Sequence, residues 1–463
     1  MKLAILGGGG VRMPALVHAL LSGAGSPIFD EIGLFEPDPM RQATTARLAR
    51  ELAAELGYAG IVQIVDEVEA AFRGADFVFS AIRVGGDAGR VIDEDVALRR
   101  GVVGQETTGP GGAAMALRTI PVVLEYCAML ERIAPRAVLI NFTNPAGIIT
   151  QAIASHTKIR AVGVCDTPSS AIDRLAAFLG AEGLPRSYRY GGLNHLGWIS
   201  SLVLDGEEHM EELLARYEEL QRFDRRFAGL DAAMVRRARA IPTEYVLYYY
   251  DPSRYVDAVR RAGSSRGQDV AKLNEELLMG IARAFERGGV QEAWATYSML
   301  LNLRHDTYLR IEVEGERAKR AARTWPSAEG ASPIADRRPG GYEAIALAVI
   351  EGLTRGAREV IVNLPNAKTL WFLEPDDVVE VPALVHQGGL APLAIGELSR
   401  PVRSLIAEVK EYERAVVEAA VDQSAELAAL ALALNPLVPG VSVAKEMMQE
   451  YRERHGKHLA YLH

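Results

Sequence analysis

Residues 2–21, KLAILGGGGVRMPALVHALL, decide the fold class of this chain. The apolar run KLAIL predicts a short buried strand, and MPALVHALL has helical periodicity with Pro14 in its first turn, where proline is tolerated. Four glycines join the two elements: Gly7, Gly8, Gly9 and Gly10. A strand, a glycine turn and a helix in this order predict a dinucleotide-binding unit, with a purely structural glycine turn as the alternative.

The glycine turn suits a pyrophosphate, because glycines allow the backbone to approach closely and the helix N-terminus offers free N–H groups. The next predicted strand, IGLFEPD, ends at Glu36, whose carboxylate would accept hydrogen bonds from an adenosine ribose. A carboxylate there disfavours a 2′-phosphate, so we expect NAD rather than NADP. Arg12 departs from the fingerprint, which prefers Gly or Ala at that position.

Three further apolar runs, ADFVFSAI, AVLINFTN and RAVGVCD, alternate with helical segments. This alternation predicts an α/β fold with a doubly wound parallel sheet of the Rossmann type, which we assign to residues 1–193 as the NAD-binding domain. Ligands of such sheets gather at the carboxyl ends of the strands. Polar residues stand at those ends: Arg83, Asn144, Cys165 and Asp166.

The second half, residues 194–463, has a mostly helical pattern. It includes the β-like pieces YLRIEVEG and REVIVNLPN, and residues 402–434 predict two long helices. We expect a mixed, mainly helical α+β domain that carries catalysis and the contacts of an oligomer.

Composition excludes several classes of protein. The net charge of −9 and the lack of a basic run argue against a nucleic-acid partner. We find no apolar stretch of membrane-span length and no signal-peptide layout, so we expect no membrane partner. Two cysteines cannot form a disulfide framework, which favours the cytoplasm.

One cysteine and one histidine have metal-binding potential. Cys127 lies in a helical apolar run and is expected in the core, whereas Cys165 ends a strand and His195 follows in GLNHLGW. Thiolate and imidazole both bind soft or borderline divalent ions, and two protein ligands would leave positions for substrate oxygens. The alternative is a buried cysteine and a core histidine.

Other candidates have two interpretations each. Asp166 would be a general acid or the N-cap of PSSAIDRLAAFLG, for which Ser169 is an equally good cap. Most tyrosines of IPTEYVLYYYDP should pack in the core, although a tyrosine near a cation can act as a base. We interpret GVVGQETTGPGG, with Gln105 and Glu106, as a binding loop. Three arginines fit either solvent or a phosphate: Arg83, Arg90 and Arg266.

Together these stretches resemble glycoside hydrolase family 4. The resemblance covers nearly the whole chain, and its motifs are, in order, GGGG, IRVGG, GVVGQETTGPGG, NFTNPAG, GVCDTP, GLNHLGW, IPTEYVLYYY and VEVPALV. The family is an NAD-dependent exception to the two-carboxylate scheme of glycosidases. It implies a fold similar to lactate and malate dehydrogenases, a divalent metal ion, usually manganese, and glycoside substrates with or without a 6-phosphate.

The resemblance also implies residue roles. Cys165 and His195 would hold the metal ion, Tyr245 would be the catalytic base, and Asp166 the acid. Four residues would bind substrate, with the two arginines favoured for phosphate: Arg90, Asn144, Asp166 and Arg266. Six residues would bind the cofactor: Gly7, Gly8, Gly9, Gly10, Glu36 and Arg83.

In the implied mechanism NAD takes a hydride from C3 of the sugar and the metal acts as a Lewis acid. Tyr245 then removes the acidified C2 proton, the aglycone leaves C1, water adds, and the hydride returns. Cys-Asp-x-Pro resembles phospho-α-glucosidases, whereas SAIRVGG and IP.EY...YYY resemble the phospho-β-glucosidase branch. We predict hydrolysis of 6-phospho-β-glucosides or disaccharides by a homodimer or homotetramer. The alternatives are the α-anomer, an NAD-dependent hydroxy-acid dehydrogenase, and an inactive NAD-responsive regulator.

Overall fold

The structure is a computed structural model that describes residues 1–22, 28–314, 334 and 341–463. Its strands are β1 (Lys2–Leu6), β2 (Glu31–Phe35), β3 (Ile61–Val65), β4 (Phe77–Ser80), β5 (Val138–Asn141), β6 (Arg160–Gly163), β7 (Arg186–Leu193), β8 (Leu196–Leu204), β9 (Glu207–Glu208), β10 (Ile241–Pro242), β11 (Arg358–Pro365), β12 (Val378–His386) and β13 (Gly389–Pro392). Its helices are α1 (Met13–Ser22), α2 (Pro39–Arg41), α3 (Arg47–Glu55), α4 (Val68–Phe72), α5 (Gly86–Leu98), α6 (Pro110–Ile133), α7 (Ala146–His156), α8 (Thr167–Phe178), α9 (Met210–Ala215), α10 (Tyr217–Phe223), α11 (Ala232–Ala238), α12 (Leu247–Tyr250), α13 (Pro252–Ala262), α14 (Arg266–Asp306), α15 (Arg310–Glu314), α16 (Tyr342–Thr354), α17 (Arg400–Val421), α18 (Ala425–Leu434) and α19 (Val441–His455).

The first half of the chain forms a parallel sheet in the order β3-β2-β1-β4-β5-β6. This is the strand order of the doubly wound dinucleotide-binding fold, so the predicted Rossmann-type α/β class is confirmed. The order reverses between β1 and β4. Such a reversal opens a crevice at the carboxyl ends of the strands, where ligands of this fold bind.

The second half extends the same sheet with antiparallel strands. Strand β11 pairs with β6, and β12, β7, β8 and β10 follow in turn. Helices dominate the rest, as the sequence predicts, and REVIVNLPN includes β11. The prediction of a β-like piece at YLRIEVEG is wrong, because this segment includes helix α15. The boundary predicted between residues 193 and 194 falls in the turn of the β7–β8 hairpin and stays a prediction.

Helix α6 corrects the expectation that no apolar stretch reaches membrane-span length. By length and composition it could cross a bilayer, with a mean hydropathy of 1.5 in its most apolar window. However, 61% of that window is buried inside the protein. Its Arg118 donates to both carboxylate oxygens of Asp93, at 2.5 and 2.8 Å. Core helices of globular proteins have the same properties.

Helix α14 folds back on itself. Gly288 and Gly289 leave the helical conformation and divide it into two arms. The first arm begins with a capping box between Ser265 and Gln268. Its first residue, Arg266, donates to the carbonyl oxygen of Arg304 near the end of the second arm, at 2.9 Å. The two ends of the helix therefore meet beside the crevice of the sheet.

Candidate active site

The glycine turn after β1 is shaped by close contacts. Gly7 has a φ of +76°, which favours glycine, and a Cβ there would lie 2.7 Å from the carbonyl oxygen of Ala81. A Cβ on Gly8 would meet Leu34 at 2.7 Å, and one on Gly9 would meet Glu36 Cγ at 2.6 Å. These contacts exclude side chains from three of the four positions and let the turn pack closely against β2 and the residues after β4, while Gly7 and Gly10 line the cavity described below.

Glu36 is held beside this turn by backbone donors. Its Oε2 accepts from the N–H of Gly9 and its Oε1 from the N–H of Asp38, both at 3.1 Å. Burial raises the pKa of Glu36, against the effect of these two N–H groups and of Arg41. The carboxylate therefore has a fixed orientation at the wall of the cavity described next, where a ribose would donate to it.

A cavity of about 800 Å³ lies at the carboxyl ends of the parallel strands. It is large for a ligand pocket and extends from the glycine turn to the β7–β8 hairpin. Ten of the residues that the sequence singles out line it: Gly7, Gly10, Glu36, Arg83, Asn144, Cys165, Asp166, His195, Tyr245 and Arg266. Gly8, Gly9 and Arg90 lie behind its wall. The folded chain therefore brings most of the predicted cofactor and chemistry residues to one cavity.

Cys165 and His195 meet in this cavity. Cys165 follows β6, and His195 forms the β7–β8 turn with a φ of +63°, which is uncommon outside glycine. Their Sγ and Nε2 atoms are 3.4 Å apart. Among the described residues, no group of three or more potential His, Cys, Asp or Glu ligands occurs. A divalent ion held by this pair would keep coordination positions open for other ligands, as the sequence suggests.

Thr107 sets the tautomer of His195. Its hydroxyl donates to Gln105 Oε1 at 3.1 Å, so its oxygen can accept from His195 Nδ1, which lies 2.6 Å away. With the proton on Nδ1, the lone pair of Nε2 faces Cys165. Burial also lowers the pKa of His195 to about 4, which keeps the ring neutral. A neutral imidazole with a free Nε2 is the form that binds a metal ion.

The thiol of Cys165 needs a cation to ionise. Burial, together with the nearby carboxylates of Glu380 and Asp166, raises the pKa of Cys165 well above its ordinary value. A bound divalent ion reverses this effect, because it deprotonates a coordinating thiol. The donor set of one thiol and one neutral imidazole therefore fits a borderline divalent ion.

Tyr245 packs face to face on His195. Their ring centroids are 4.1 Å apart and the planes are 17° from parallel. The hydroxyl of Tyr308 lies 2.9 Å from Tyr245 Oη and 3.0 Å from Glu244 Oε1. Burial raises the pKa of Tyr245 well above its ordinary value and that of Glu244 to about 7. A nearby cation would be required for Tyr245 to act as a base. By contrast, Tyr248 is fully buried in the core, as expected for most of this motif.

Asp166 is free to face the cavity. It stands at the N-cap position of α8 with helical φ and ψ, and its side chain makes no capping hydrogen bond. Ser169 lies inside the helix and does not cap it either. Neither capping interpretation therefore holds, and the carboxylate is positioned beside Cys165 for contact with a ligand.

Comparison with known proteins agrees with this geometry. The sequence profile of the family 4 glycosyl hydrolases matches residues 2–181, and the profile of their C-terminal domain matches residues 190–438. The chain belongs to glycoside hydrolase family 4. Relatives of this family 4 chain differ in anomer. The 6-phospho-beta-glucosidase BglT of Thermotoga maritima is 28% identical, with 98% of both chains covered. The 6-phospho-alpha-glucosidase 1 of Lacticaseibacillus paracasei is also 28% identical, over 96% of this chain and 95% of that protein.

Solved structures of family 4 have the same fold. The 6-phospho-beta-glucosidase of Thermotoga maritima, solved with manganese, NAD+ and glucose-6-phosphate, has a TM-score of 0.78 at 27% identity, with 98% of both chains covered. The cofactors in that structure support the sequence prediction of NAD and a divalent metal ion.

The arginines of this family 4 chain differ in how many of their donors are already bound to carboxylates. Arg90 donates to Glu94 at 2.9 Å, lies 2.5 Å from Glu106 Oε2, and is 5% exposed. The structure does not bring it to the cavity, because two carboxylates hold it behind the wall. Arg83 lines the cavity and pairs with Glu106, and its Nη1 has no partner within the described ranges. A buried donor of this kind is available to a ligand.

The sequence analysis did not identify several residues of the site. Thr107 lies within the quoted GVVGQETTGPGG loop, and Glu244 directly precedes Tyr245, so position in a motif was a usable signal for both. Tyr308 and Arg304 line the cavity from far along the chain, and local sequence offers no signal for them. The sequence did offer one signal against Arg90, because Glu94 stands four residues later, at ion-pair spacing on a helix.

Proposed function

We propose that this enzyme hydrolyses 6-phospho-β-glucosides with NAD and a divalent metal ion. One observation carries the proposal: the Cys165–His195 pair, 3.4 Å apart, faces the same cavity as the glycine turn. A plain hydroxy-acid dehydrogenase needs the turn but has no use for the pair. The relative solved with manganese, NAD+ and glucose-6-phosphate supports the same set of ligands.

The cavity divides into a cofactor end and a chemistry end. At the cofactor end, the turn backbone and Glu36 would hold NAD, with Arg83 nearby. At the chemistry end, Cys165 and His195 would hold the metal ion. When bound, NAD supplies a reversible hydride acceptor and the metal ion a Lewis acid toward sugar oxygens.

The residues at the chemistry end have distinct proton tasks. Tyr245 would accept the C2 proton of the oxidised sugar, and its hydroxyl is oriented by Tyr308 at 2.9 Å. Asp166, whose side chain is not used for capping, would donate a proton to the leaving oxygen. Thr107 keeps the His195 ring in one tautomer throughout. Asn144, at the end of β5, would contact the sugar.

The motifs SAIRVGG and IP.EY...YYY and the similarity to BglT support the β-anomer, while Cys-Asp-x-Pro and a 6-phospho-alpha-glucosidase of equal identity support the α-anomer. Four p-nitrophenyl glucosides test the choice: α- and β-linked, each with and without a 6-phosphate. We expect turnover of the 6-phospho-β compound alone. Turnover of the 6-phospho-α compound instead would reassign the anomer, and turnover of neither would refute the proposal.

The mechanism has its own test. In heavy water, wild-type enzyme should place deuterium at C2 of the released sugar. An NAD concentration far below that of the substrate should suffice, and no NADH should accumulate. Tyr245→Phe should lower turnover roughly 100-fold or more, the usual contribution of a general base. Tyr248→Phe is the matched control, since that ring is in the core. Steady NADH release would instead indicate a dehydrogenase.

Assembly and location complete the proposal. We expect a homodimer or homotetramer in the cytoplasm, and light scattering of the purified protein measures the number of subunits. A monomer that is fully active would refute the oligomer.

A further inference from the structure

Arg304 is a cavity residue that the sequence did not single out. It lies in the last turn of the second arm of α14, and the fold of that helix places it beside Arg266 at the cavity. Its Nη1 donates to Asn274 Oδ1 at 2.8 Å, and the Asn274 amide donates in turn to Asp87 at 2.9 Å. A neutral amide therefore fixes the direction of this guanidinium without neutralising its charge.

Three of the arginines that line the cavity have a carboxylate partner among the described residues, while Arg12 lies over the ring of Tyr342 instead. Arg226 pairs with Asp224, Arg41 with Asp87, and Arg83 with Glu106. Within the ranges that the structure describes, Arg304 and Arg266 form no such pair. Burial and the positive charges of Arg12, Arg90 and Arg266 lower the pKa of Arg304 to about 9, although Glu106 acts in the opposite sense. The described residues thus compensate the positive charge of Arg304 poorly.

Arg266 has fewer donors to offer than Arg304. Its guanidinium donates to the carbonyl and hydroxyl oxygens of Thr307, at 3.2 and 2.6 Å, and to the carbonyl oxygen of Arg304. These bonds cap the second arm of α14. Within the described part of the chain, one of the five N–H groups of Arg304 donates to Asn274 and the others make no hydrogen bond. A guanidinium with free donors on adjacent nitrogens matches the oxygens of a phosphate dianion.

We propose that Arg304 binds the phosphate group of the substrate and sets the preference for phosphorylated sugars. The choice of substrate rests on the proposed function. Arg266 then supports Arg304 by joining the two ends of α14. Arg304 replaces Arg90 as the residue expected to contact the phosphate.

The cavity offers two sources of phosphate, the sugar and the pyrophosphate of NAD. Arg304 contributes to lowering the pKa of Glu106, whose neighbour Thr107 contacts His195. This places the charge of Arg304 in range of the chemistry end. Arg12 directly follows the glycine turn, so its backbone belongs to the cofactor end, although its guanidinium lies 4.9 Å from the ring of Tyr342 and its charge also acts on Asp166 and Arg304. The sugar phosphate is therefore the favoured ligand of Arg304.

The test compares Arg304→Gln and Arg304→Lys with Arg310→Gln. Arg310 is a matched control because it pairs with Glu314 at 3.2 Å, away from the cavity. Three readouts are the kcat/KM ratio between p-nitrophenyl β-glucosides with and without 6-phosphate, the affinity for NAD, and the affinity for glucose 6-phosphate. Arg304→Gln should lower the ratio roughly 10- to 100-fold, the usual worth of hydrogen bonds to a charged group, through KM. Affinity for glucose 6-phosphate should fall in parallel, with NAD affinity unchanged. Arg304→Lys should lie between Arg304→Gln and wild type, and Arg310→Gln should match wild type.

The thermal stability of the ligand-free protein shows whether Arg304 has a binding role or a structural role. Because Arg304 adds to uncompensated positive charge, Arg304→Gln should leave the Tm of the ligand-free protein unchanged or raise it. A structural arginine would lower it. The proposal is overturned if Arg304→Gln leaves the kcat/KM ratio between phosphorylated and unphosphorylated substrates unchanged. It is also overturned if the substitution lowers NAD affinity and not this ratio. If wild-type enzyme shows no preference for phosphorylated substrates, the proposed function fails. Inorganic phosphate then tests Arg304 alone: Arg304→Gln should abolish its stabilisation of the protein, and equal stabilisation overturns the inference.

Discussion

The substitution Gly9→Ala tests the cofactor end of the cavity by a contact that the structure defines. The added Cβ would lie 2.6 Å from Glu36 Cγ and 2.7 Å from Arg41 Cβ. Gly9 does not have a positive φ, so the cost is steric and not conformational. Overpacking of this kind costs about 1–3 kcal/mol, and Glu36 would have to move, which breaks its 3.1 Å hydrogen bond to the Gly9 N–H.

If NAD binding uses the carboxylate of Glu36 in its present place, the same 1–3 kcal/mol corresponds to a loss of about 5- to 150-fold in NAD affinity. Isothermal titration of NAD measures it, and urea unfolding measures the change in stability. Gly33→Ala on β2 is the control, because its nearest contact would be 3.7 Å, an ordinary packing distance. Undiminished NAD affinity in Gly9→Ala, or an equal loss in Gly33→Ala, would refute the reasoning.

Substitutions at the chemistry end have separate readouts. Cys165→Ser replaces a soft ligand with a poorer one, so retained manganese should fall roughly 10-fold or more with NAD binding intact; unchanged metal content would leave Cys165 a core residue. Tyr308→Phe removes the hydroxyl 2.9 Å from Tyr245 Oη, so kcat should fall roughly 10-fold at constant KM, and an unchanged kcat would exclude an orienting role. Burial raises the pKa of Glu380 from 4.5 to about 7, so the folded chain keeps a proton that the unfolded chain loses, and stability falls as pH rises through this window. Glu380→Gln should remove that slope, at most about 1.4 kcal/mol per pH unit in urea unfolding at pH 5 to 7, and an equal slope in both proteins would contradict the pKa shift.

Sequence patterns predict the first half of the fold well because its signals are local. The strand, glycine turn and helix at residues 2–21 are contiguous, and each later strand is a short apolar run. The prediction of a β-like piece at YLRIEVEG is wrong because an alternation of β-branched and apolar residues carries no information on tertiary contacts. Leu309 has a φ of +57°, and the residues after it form α15, so the chain turns into a helix where the alternation favours a strand.

The residues of the site also fall into those that local sequence predicts and those that it does not. Cys165 and His195 stand in motifs that sequence reasoning recognises, and the structure brings them together. The groups that orient them come from elsewhere: Thr107 from the 101–112 loop and Tyr308 from beyond α14. A contact between residues so far apart in sequence depends on the path of the chain. Helix α14 reverses where Gly288 and Gly289 leave the helical conformation, and the sequence alone did not predict this change of direction.

The distance between Cys165 and His195 is a property of the sheet and not of two loops. Cys165 follows β6, which pairs with β11, and His195 follows β7, which pairs with β12. Glu380 on β12 ties these strands together, because it accepts from Asn363 on β11 at 3.0 Å and from Asn194 in the β7–β8 turn at 3.0 Å. The side chain of Glu380, which is 1% exposed, thus links the strands on both sides of the Cys165–His195 pair. Since a register shift by one residue would turn every side chain to the other face, the antiparallel extension of the sheet is what holds Cys165 and His195 together at the second end of the cavity.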